Sequence, residues 1–183
     1  AIGFRALSTE DGHGKNIAIG YEALRLLNAG ANAYNVAVGD SAGAAMSTGS
    51  NNTLIGGLSG DALTGGQENV AIGYNTLSGT QFANYNVAIG RGSMSTAALS
   101  NANVGVGVNT LASLSQSSGT DTYNVAVGYN AGKEITAGVQ NTILGAQAGD
   151  ALTTGNHNVA IGFRALSTED TGSNSVGIGY YAL

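Results

Sequence analysis

The chain has 183 residues, a net charge of −5 and only 9% charged residues, so it lacks the basic surface that nucleic-acid binding requires. It contains no cysteine, which excludes a disulfide framework and a thiolate metal site. No apolar run approaches the roughly 20 residues of a membrane span, so we expect no membrane insertion in this segment. The 43% of apolar residues still permits a continuous core.

A motif of the form Asn-Val-Ala-Ile-Gly recurs along the whole chain. Eight of the ten spacings between its glycines are 17 residues, and the other two are 19 and 21. A fixed period of this kind is the signature of a repeat architecture. We therefore expect one continuous array over residues 1–183, eleven coils of a longer fibre, with loop insertions at the two longer spacings. The motif glycines are Gly3, Gly20, Gly39, Gly56, Gly73, Gly90, Gly107, Gly128, Gly145, Gly162 and Gly179.

The residues before each motif glycine predict a short strand. The position directly before it holds Ile, Val or Leu, and the position three before it holds Val, Ile or Thr. β-Branched residues bounded by Gly, Asn and Ser are typical of strands that end in turns. Seventeen residues are too few for a strand plus a crossover helix. The sequence therefore predicts an all-β fold, a parallel β-solenoid whose coils stack about 4.8 Å apart.

Asparagine stands four residues before nine of the motif glycines, and Ser175 takes this place in a tenth copy. Amide side chains stacked in a column can hydrogen-bond along the stack, as they do in parallel in-register β structures. They can also satisfy backbone groups at the corners. We interpret the column as structural. Its members are Asn16, Asn35, Asn52, Asn69, Asn86, Asn103, Asn124, Asn141 and Asn158.

The position four residues after the motif glycine is of two kinds. It is Leu or Met in seven copies and glycine in the other four, which come in pairs 89 residues apart and mark a duplicated block of five coils. Each glycine copy carries an apolar residue three positions later, such as Leu63, so we expect the interior filler to move along the coil. Leu27 has the same offset in a copy that Leu24 already fills, which predicts a surface loop there. The glycine copies are Gly43, Gly60, Gly132 and Gly149.

Alternation along the strand suggests how the coils assemble. In the segment 70–73, Val70 and Ile72 face one way, and Ala71 and Gly73 face the other. A strand that is apolar on both faces is normally covered on both. We expect the bulky face inside the coil and the Ala/Gly strand face against a neighbouring chain around a common axis. The alternative is that Ala and Gly simply face solvent.

An aromatic residue directly follows six of the motif glycines. We interpret these residues as an interrupted stripe of stacked side chains, with sugar binding as the alternative. They are Phe4, Tyr21, Tyr74, Tyr129, Phe163 and Tyr180.

Catalytic chemistry finds little support in the sequence. Residues 72–77 fit one hexapeptide of the acyltransferase type, but such coils need three hexapeptides, and only one per coil fits. The histidines, His13 and His157, fall in turns without an acidic partner. The carboxylate pairs Glu10/Asp11 and Glu169/Asp170 are adjacent and point apart, whereas glycosidase chemistry needs two carboxyls facing one cleft. We predict no enzyme, no catalytic residue, no cofactor and no metal site.

The motif at 69–73, followed by Thr76, resembles the head repeat of trimeric autotransporter adhesins, N-S-V-A-I-G-x-x-S-x-A. The longer segment 69–77 resembles repeats in the tail fibres of phages and large viruses, and this is the closer match. The resemblance implies a left-handed parallel β-roll, a homotrimer and attachment to a host surface receptor or glycan, on a virion, a cell surface or outside the cell. The alternatives are an autotransporter head or stalk and a subunit of a homopolymeric surface filament.

Overall fold

The computed structural model describes residues 1–12, 14–79, 81–168 and 170–183, without the side chains of residues 117 and 118. The described chain is all-β and contains no helix. Its coils of about 17 residues stack through a parallel sheet and form a β-solenoid of about nine turns. The fold class predicted from the repeat is therefore confirmed.

Ten strands of three residues form the main sheet, and each ends directly before a motif glycine. Two further strands form a small sheet beside the longest repeat. In chain order the strands are β1 Ile17–Ile19, β2 Val36–Val38, β3 Thr53–Ile55, β4 Val70–Ile72, β5 Val87–Ile89, β6 Ala98–Asn101, β7 Val104–Val106, β8 Ser115–Asp121, β9 Val125–Val127, β10 Thr142–Leu144, β11 Val159–Ile161 and β12 Val176–Ile178. Strands β6 and β8 are the pair outside the main sheet.

Neighbouring strands pair in one constant register, so equivalent residues stack in columns. Ala71 lies opposite Ala88, and Ile72 lies opposite Ile89. Each coil bonds to both neighbours: the Val70 N–H donates to Asn86 O of the next coil, and the Gly73 N–H donates to Ile55 O of the previous one. This regularity explains why the Asn, Gly and Val/Ile positions recur with so little variation.

The motif glycines form the tightest column. Gly56 has a φ of 128°, and a Cβ built on it would lie 2.3 Å from the carbonyl oxygen of Gly73. Real Cβ atoms do not approach a backbone oxygen so closely, so only glycine fits. Further left-handed corners use other residues, such as Tyr85 (φ 61°), Asn75 (φ 56°) and Leu77 (φ 48°). Each non-glycine residue in this conformation costs roughly 1–2 kcal/mol, which the stacked coils must offset.

The inside and outside of the strand are the reverse of what we expected. Ala71 and Ala88, at the strand centres, have no exposed surface, whereas Val70 and Ile72 face outward and are half-buried. The coil is too narrow for large side chains on all its walls, because Leu and Met from the corner segments already fill it. The Ala/Gly strand face is thus the interior of the chain's own coil, and the predicted contact of a neighbouring chain with it is wrong.

Strand β3 has Leu54 at its centre and strand β10 has Ile143, where the other strands of the main sheet have Ala or Gly. Both side chains are fully buried. A Cβ at Gly43 would lie 2.9 Å from Leu54 Cδ1, and a Cβ at Gly60 would lie 2.9 Å from Leu54 Cδ2. The same glycine pair surrounds Ile143 in the second block, at Gly132 and Gly149. The four glycines therefore make space for Leu54 and Ile143 in addition to the displaced fillers.

Leu27 does not lie in a surface loop. Leu24 and Leu27 are both completely buried, as are Leu111 and Leu114 in the second block. The interior thus has two filler positions, four and seven residues after the motif glycine, and one coil can occupy both. The expectation that one filler excludes the other is wrong, because Gly43 in the next coil leaves space that Leu24 occupies: a Cβ at Gly43 would lie 2.8 Å from Leu24 Cδ2.

Candidate functional site

The outward face of the main sheet carries no charged residue. It consists of the first and last residues of each strand, in two parallel columns of Val, Ile, Leu and Thr. Several of these side chains are well exposed, including Ile17 at 52%, Ile55 at 37% and Leu144 at 48%. Ile2 extends one column by an isolated parallel bridge to Ile19. We call these two columns the aliphatic face.

The nine predicted asparagines lie behind one edge of this face and bond along the stack. The side chain of Asn52 is completely buried, and its Nδ2 donates to Asn35 Oδ1 at 3.1 Å and to Gly66 O at 2.8 Å. The Asn52 backbone N–H also donates to Asn35 Oδ1, at 2.9 Å. From Asn35 to Asn158, the backbone N–H of each member donates to Oδ1 of the member before it. The Nδ2 donates to the carbonyl oxygen fourteen residues later at every member except Asn16 and Asn103, and Asn103 Nδ2 donates to Asn101 O instead.

The sequence reasoning missed a second, shorter asparagine column two residues earlier. Asn84 Oδ1 accepts the backbone N–H of Gln67 at 2.9 Å, and Asn101 Oδ1 accepts that of Asn84 at 2.9 Å. In the second block, Asn156 Oδ1 accepts the N–H of Val139 at 2.8 Å. The only signal was asparagine at this offset in three copies, which is too sparse to stand out.

The aromatic stripe beside the aliphatic face is partly a stack. Phe4 and Tyr21 have centroids 5.5 Å apart with planes at 16°, and Phe163 and Tyr180 are 5.7 Å apart with planes at 17°. Tyr74 and Tyr129 are 56% and 55% exposed, and neither contacts another ring among the described residues. The stripe is therefore interrupted, as the sequence predicted.

The next column, two residues after the motif glycine, is mostly polar, with Leu58 and Gly92 as exceptions. Arg5 pairs with Glu22 at 3.4 Å, and Asn109 donates to Asn130 Oδ1 at 3.2 Å. Arg164 Nε donates to Gln147 Oε1 at 3.1 Å, and its Nη1 donates to the Tyr181 hydroxyl at 2.7 Å. These contacts join successive coils across the surface and border the aromatic stripe.

Four of the titratable groups considered for catalysis lie among the described residues: His157, Glu10, Asp11 and Asp170. His157 is exposed at a left-handed corner (φ 59°), and Asp170 accepts a hydrogen bond from Thr153. Glu10 accepts from Asn16 Nδ2 at 3.1 Å. His13 and Glu169 lie outside the described residues. In the described part of the chain, no three His, Asp or Glu side chains come together as a metal site.

Two aspartates occupy equivalent places in the two blocks. Burial raises the pKa of Asp61 and of Asp150 above the usual range of a carboxyl. Asp61 Oδ1 is buried and has no hydrogen-bond partner among the described residues. Neighbouring charges also act on Asp150: Arg164 and Lys133 lower its pKa, and Glu134 raises it.

No protein-family model, curated protein or solved structure matches this chain. No helix in the ranges that the structure describes is long and apolar enough to cross a membrane.

Proposed function

We propose that this chain is a structural segment of an elongated extracellular or virion fibre used in attachment, and that three copies assemble around a common axis. The observation that carries the proposal is the aliphatic face, which runs uncharged along all ten strands of the main sheet. The role is mechanical and not catalytic. The resemblance of the motif to tail-fibre repeats supports the same assignment.

The aliphatic face is large enough to form a substantial part of a contact surface. Nine steps of about 4.8 Å give a length of about 43 Å, and two columns with their side chains give a width of about 12 Å. The resulting area of about 500 Å² lies within the range of about 300–600 Å² for the largest apolar patch on a typical monomer, a patch that is often functional. It is more than half of the roughly 800 Å² that each partner buries in a stable interface.

A threefold arrangement uses such a face well. Three identical flat faces directed at one axis enclose a shared apolar core, and each copy contacts both others through the same surface. Cyclic symmetry of this kind closes without leaving an unpaired face. Because every coil presents the same two columns, the interface extends with the rod and keeps the copies aligned.

Sedimentation of the purified chain tests the proposal. We expect a trimer for the unchanged protein. The double change Ile72→Lys and Ile89→Lys places charges on the aliphatic face, so it should give monomers that keep their β-sheet circular dichroism. Thr154→Lys, at an exposed position away from this face, should leave the trimer intact.

A third variant distinguishes damage to the coil interior from damage to the proposed interface. Ala71→Leu adds bulk inside the coil and should reduce the β signal itself, since overpacking a filled core usually costs about 1–3 kcal/mol. A soluble, folded monomer of the unchanged chain would contradict the proposed assembly. So would a trimer that survives both lysines.

A further inference from the structure

One gap in the aromatic stripe is enclosed by a ring on each side. Tyr129, Ala146 and Phe163 are successive members of the column that follows the motif glycines. The strands before them, β9, β10 and β11, pair in constant register, so these three positions lie one above the other. Ala146 therefore forms the floor of a slot with Tyr129 and Phe163 as walls.

The slot has the thickness of one six-membered ring. Two coil steps of about 4.8 Å separate the planes of Tyr129 and Phe163 by about 9.6 Å. A ring placed midway would lie about 4.8 Å from each wall, inside the 4.5–7 Å range of stacked rings. Where the next coil does supply a ring, at Tyr180, the observed centroid distance to Phe163 is 5.7 Å.

Both walls and the floor of the slot remain accessible to solvent. Tyr129 is 55% exposed, Phe163 is 40% exposed, and Ala146 itself remains partly exposed. The two rings make no contact with each other among the described ring pairs. The slot is thus open to solvent along its outer side.

The two remaining sides of the slot differ in polarity. Leu144, 48% exposed, borders it on the side of the aliphatic face. Gln147 borders it on the other side, with its Oε1 held by Arg164 Nε at 3.1 Å. The Gln147 Nε2 hydrogen-bonds no described residue and remains a free donor.

We propose that this slot binds a single neutral pyranose ring. Both faces of a pyranose can present C–H groups to aromatic walls, while its equatorial hydroxyls point outward from the rim. The Gln147 amide and the Arg164 guanidinium are donors suited to those hydroxyls. The guanidinium lies over the Phe163 wall, with Arg164 Cζ 5.5 Å from the ring centroid. A purely aromatic guest would fill the same thickness but would use no donor at the rim.

The duplicated block contains a natural control. The equivalents of Tyr129, Ala146 and Phe163, 89 residues earlier, are Asp40, Gly57 and Tyr74. One wall is there the Asp40 carboxylate instead of an aromatic ring, so a guest could stack on one side only. The first block should therefore bind no sugar at this place.

The inference rests on the proposed attachment role for its biological meaning, since a sugar site would give the fibre something to attach to. The NMR experiment measures only ligand binding, and the sedimentation experiment measures only assembly. Either can fail while the other succeeds.

Saturation-transfer NMR on the unchanged chain would use methyl β-glucopyranoside, methyl β-galactopyranoside and N-acetylglucosamine as probes. A ligand of this size in an open site is expected to bind with a Kd of about 1 mM. Tyr129→Ala and Phe163→Ala should each weaken binding at least tenfold. Tyr74→Ala, at the equivalent place of the first block, should leave binding unchanged.

Ala146→Tyr fills the slot covalently and extends the stack from Tyr129 to Tyr180. It should abolish binding while the melting temperature stays the same or rises, so a loss of fold cannot imitate the result. The inference is overturned if none of the three sugars binds, or if binding survives Ala146→Tyr. Binding of N-acetyltyrosinamide in the absence of sugar binding would also overturn it, in favour of an aromatic peptide partner.

Discussion

Leu54 fills the interior space that a side chain at Gly60 would need, since a Cβ on Gly60 would lie 2.9 Å from Leu54 Cδ2. Gly60 stands four residues after its motif glycine, where most copies have Leu or Met. Within this coil, Leu54 thus occupies the volume that a Leu or Met side chain at position 60 would fill. Their coupling gives a direct test of how the core is packed.

A double-mutant cycle on Leu54 and Gly60 should show strong non-additivity. Leu54→Ala leaves a cavity and should cost about 2–5 kcal/mol of unfolding free energy. Gly60→Ala adds a methyl that collides with Leu54 in a left-handed position (φ 58°). In the double variant the collision with Leu54 disappears and the methyl fills part of the cavity, while the approach to Leu63 Cδ1 at 2.9 Å remains. Chemical denaturation should therefore give a favourable coupling of about 0.5–3 kcal/mol.

The same cycle on Leu54 and Gly149 provides the control. Gly149 has the same conformation (φ 52°) but contacts Ile143 instead of Leu54. The two changes should then add. Coupling as strong at Gly149 as at Gly60 would show that the glycines respond to the general state of the solenoid and not to the residue beside them.

Leu27→Ala and Leu63→Ala should be similarly damaging, contrary to the sequence-based expectation that Leu27 lies at the surface. Both side chains are completely buried, so each truncation should cost about 2–5 kcal/mol. Leu26→Ala, at a side chain that is 39% exposed, should cost much less. Hydrogen exchange should show the loss of protection only in coils near each change, since each coil contacts only its neighbours.

The repeat made most of the architecture predictable, and the volume of the coil determined what was not. The period located every strand of the main sheet, because a strand ends wherever a residue such as Ile72 meets its glycine. The alternation of side chains along the strand placed Ala71 and Ile72 on opposite faces but could not show which of them faced inward. That depends on the coil's width, which the paired fillers Leu24 and Leu27 determine together. The space shared by Leu54 and Gly43 involves two coils and is invisible within any single repeat.

The candidate site was predictable only in part. The aromatic stripe follows from the sequence, since Tyr129 and Phe163 share one offset from their glycines. The openness of the gap at Ala146 does not follow, because it depends on whether a neighbouring ring leans over the floor. Ala146 and its first-block equivalent Gly57 both remain partly exposed.

Asn69→Ala should destabilise the chain by several kcal/mol. The Asn69 side chain is buried, donates to Asn52 Oδ1 at 3.0 Å and to Ala83 O at 2.8 Å, and accepts the Asn86 N–H at 3.0 Å. Truncation leaves these buried partners unsatisfied, at about 1–3 kcal/mol each. Asn32→Ala, at an exposed position outside the column, should have little effect in the same denaturation experiment. Equal stability of the two variants would mean that the column is dispensable.

Acidification should stabilise the chain through Asp61. Burial raises the pKa of Asp61 in the folded state above its unfolded value, so the folded chain binds more protons than the unfolded chain as pH falls through that interval. The Asp61 contribution to the unfolding free energy therefore grows on acidification from its unfavourable value at neutral pH, where the charged carboxylate lacks a partner for Oδ1. Asp61→Asn should raise the melting temperature at pH 7 and flatten the pH dependence between about pH 4 and the folded pKa. Asp40→Asn, which removes the same charge at an exposed position, is the matched control. If both changes raise the melting temperature equally, general charge repulsion is responsible, and the burial of Asp61 is not.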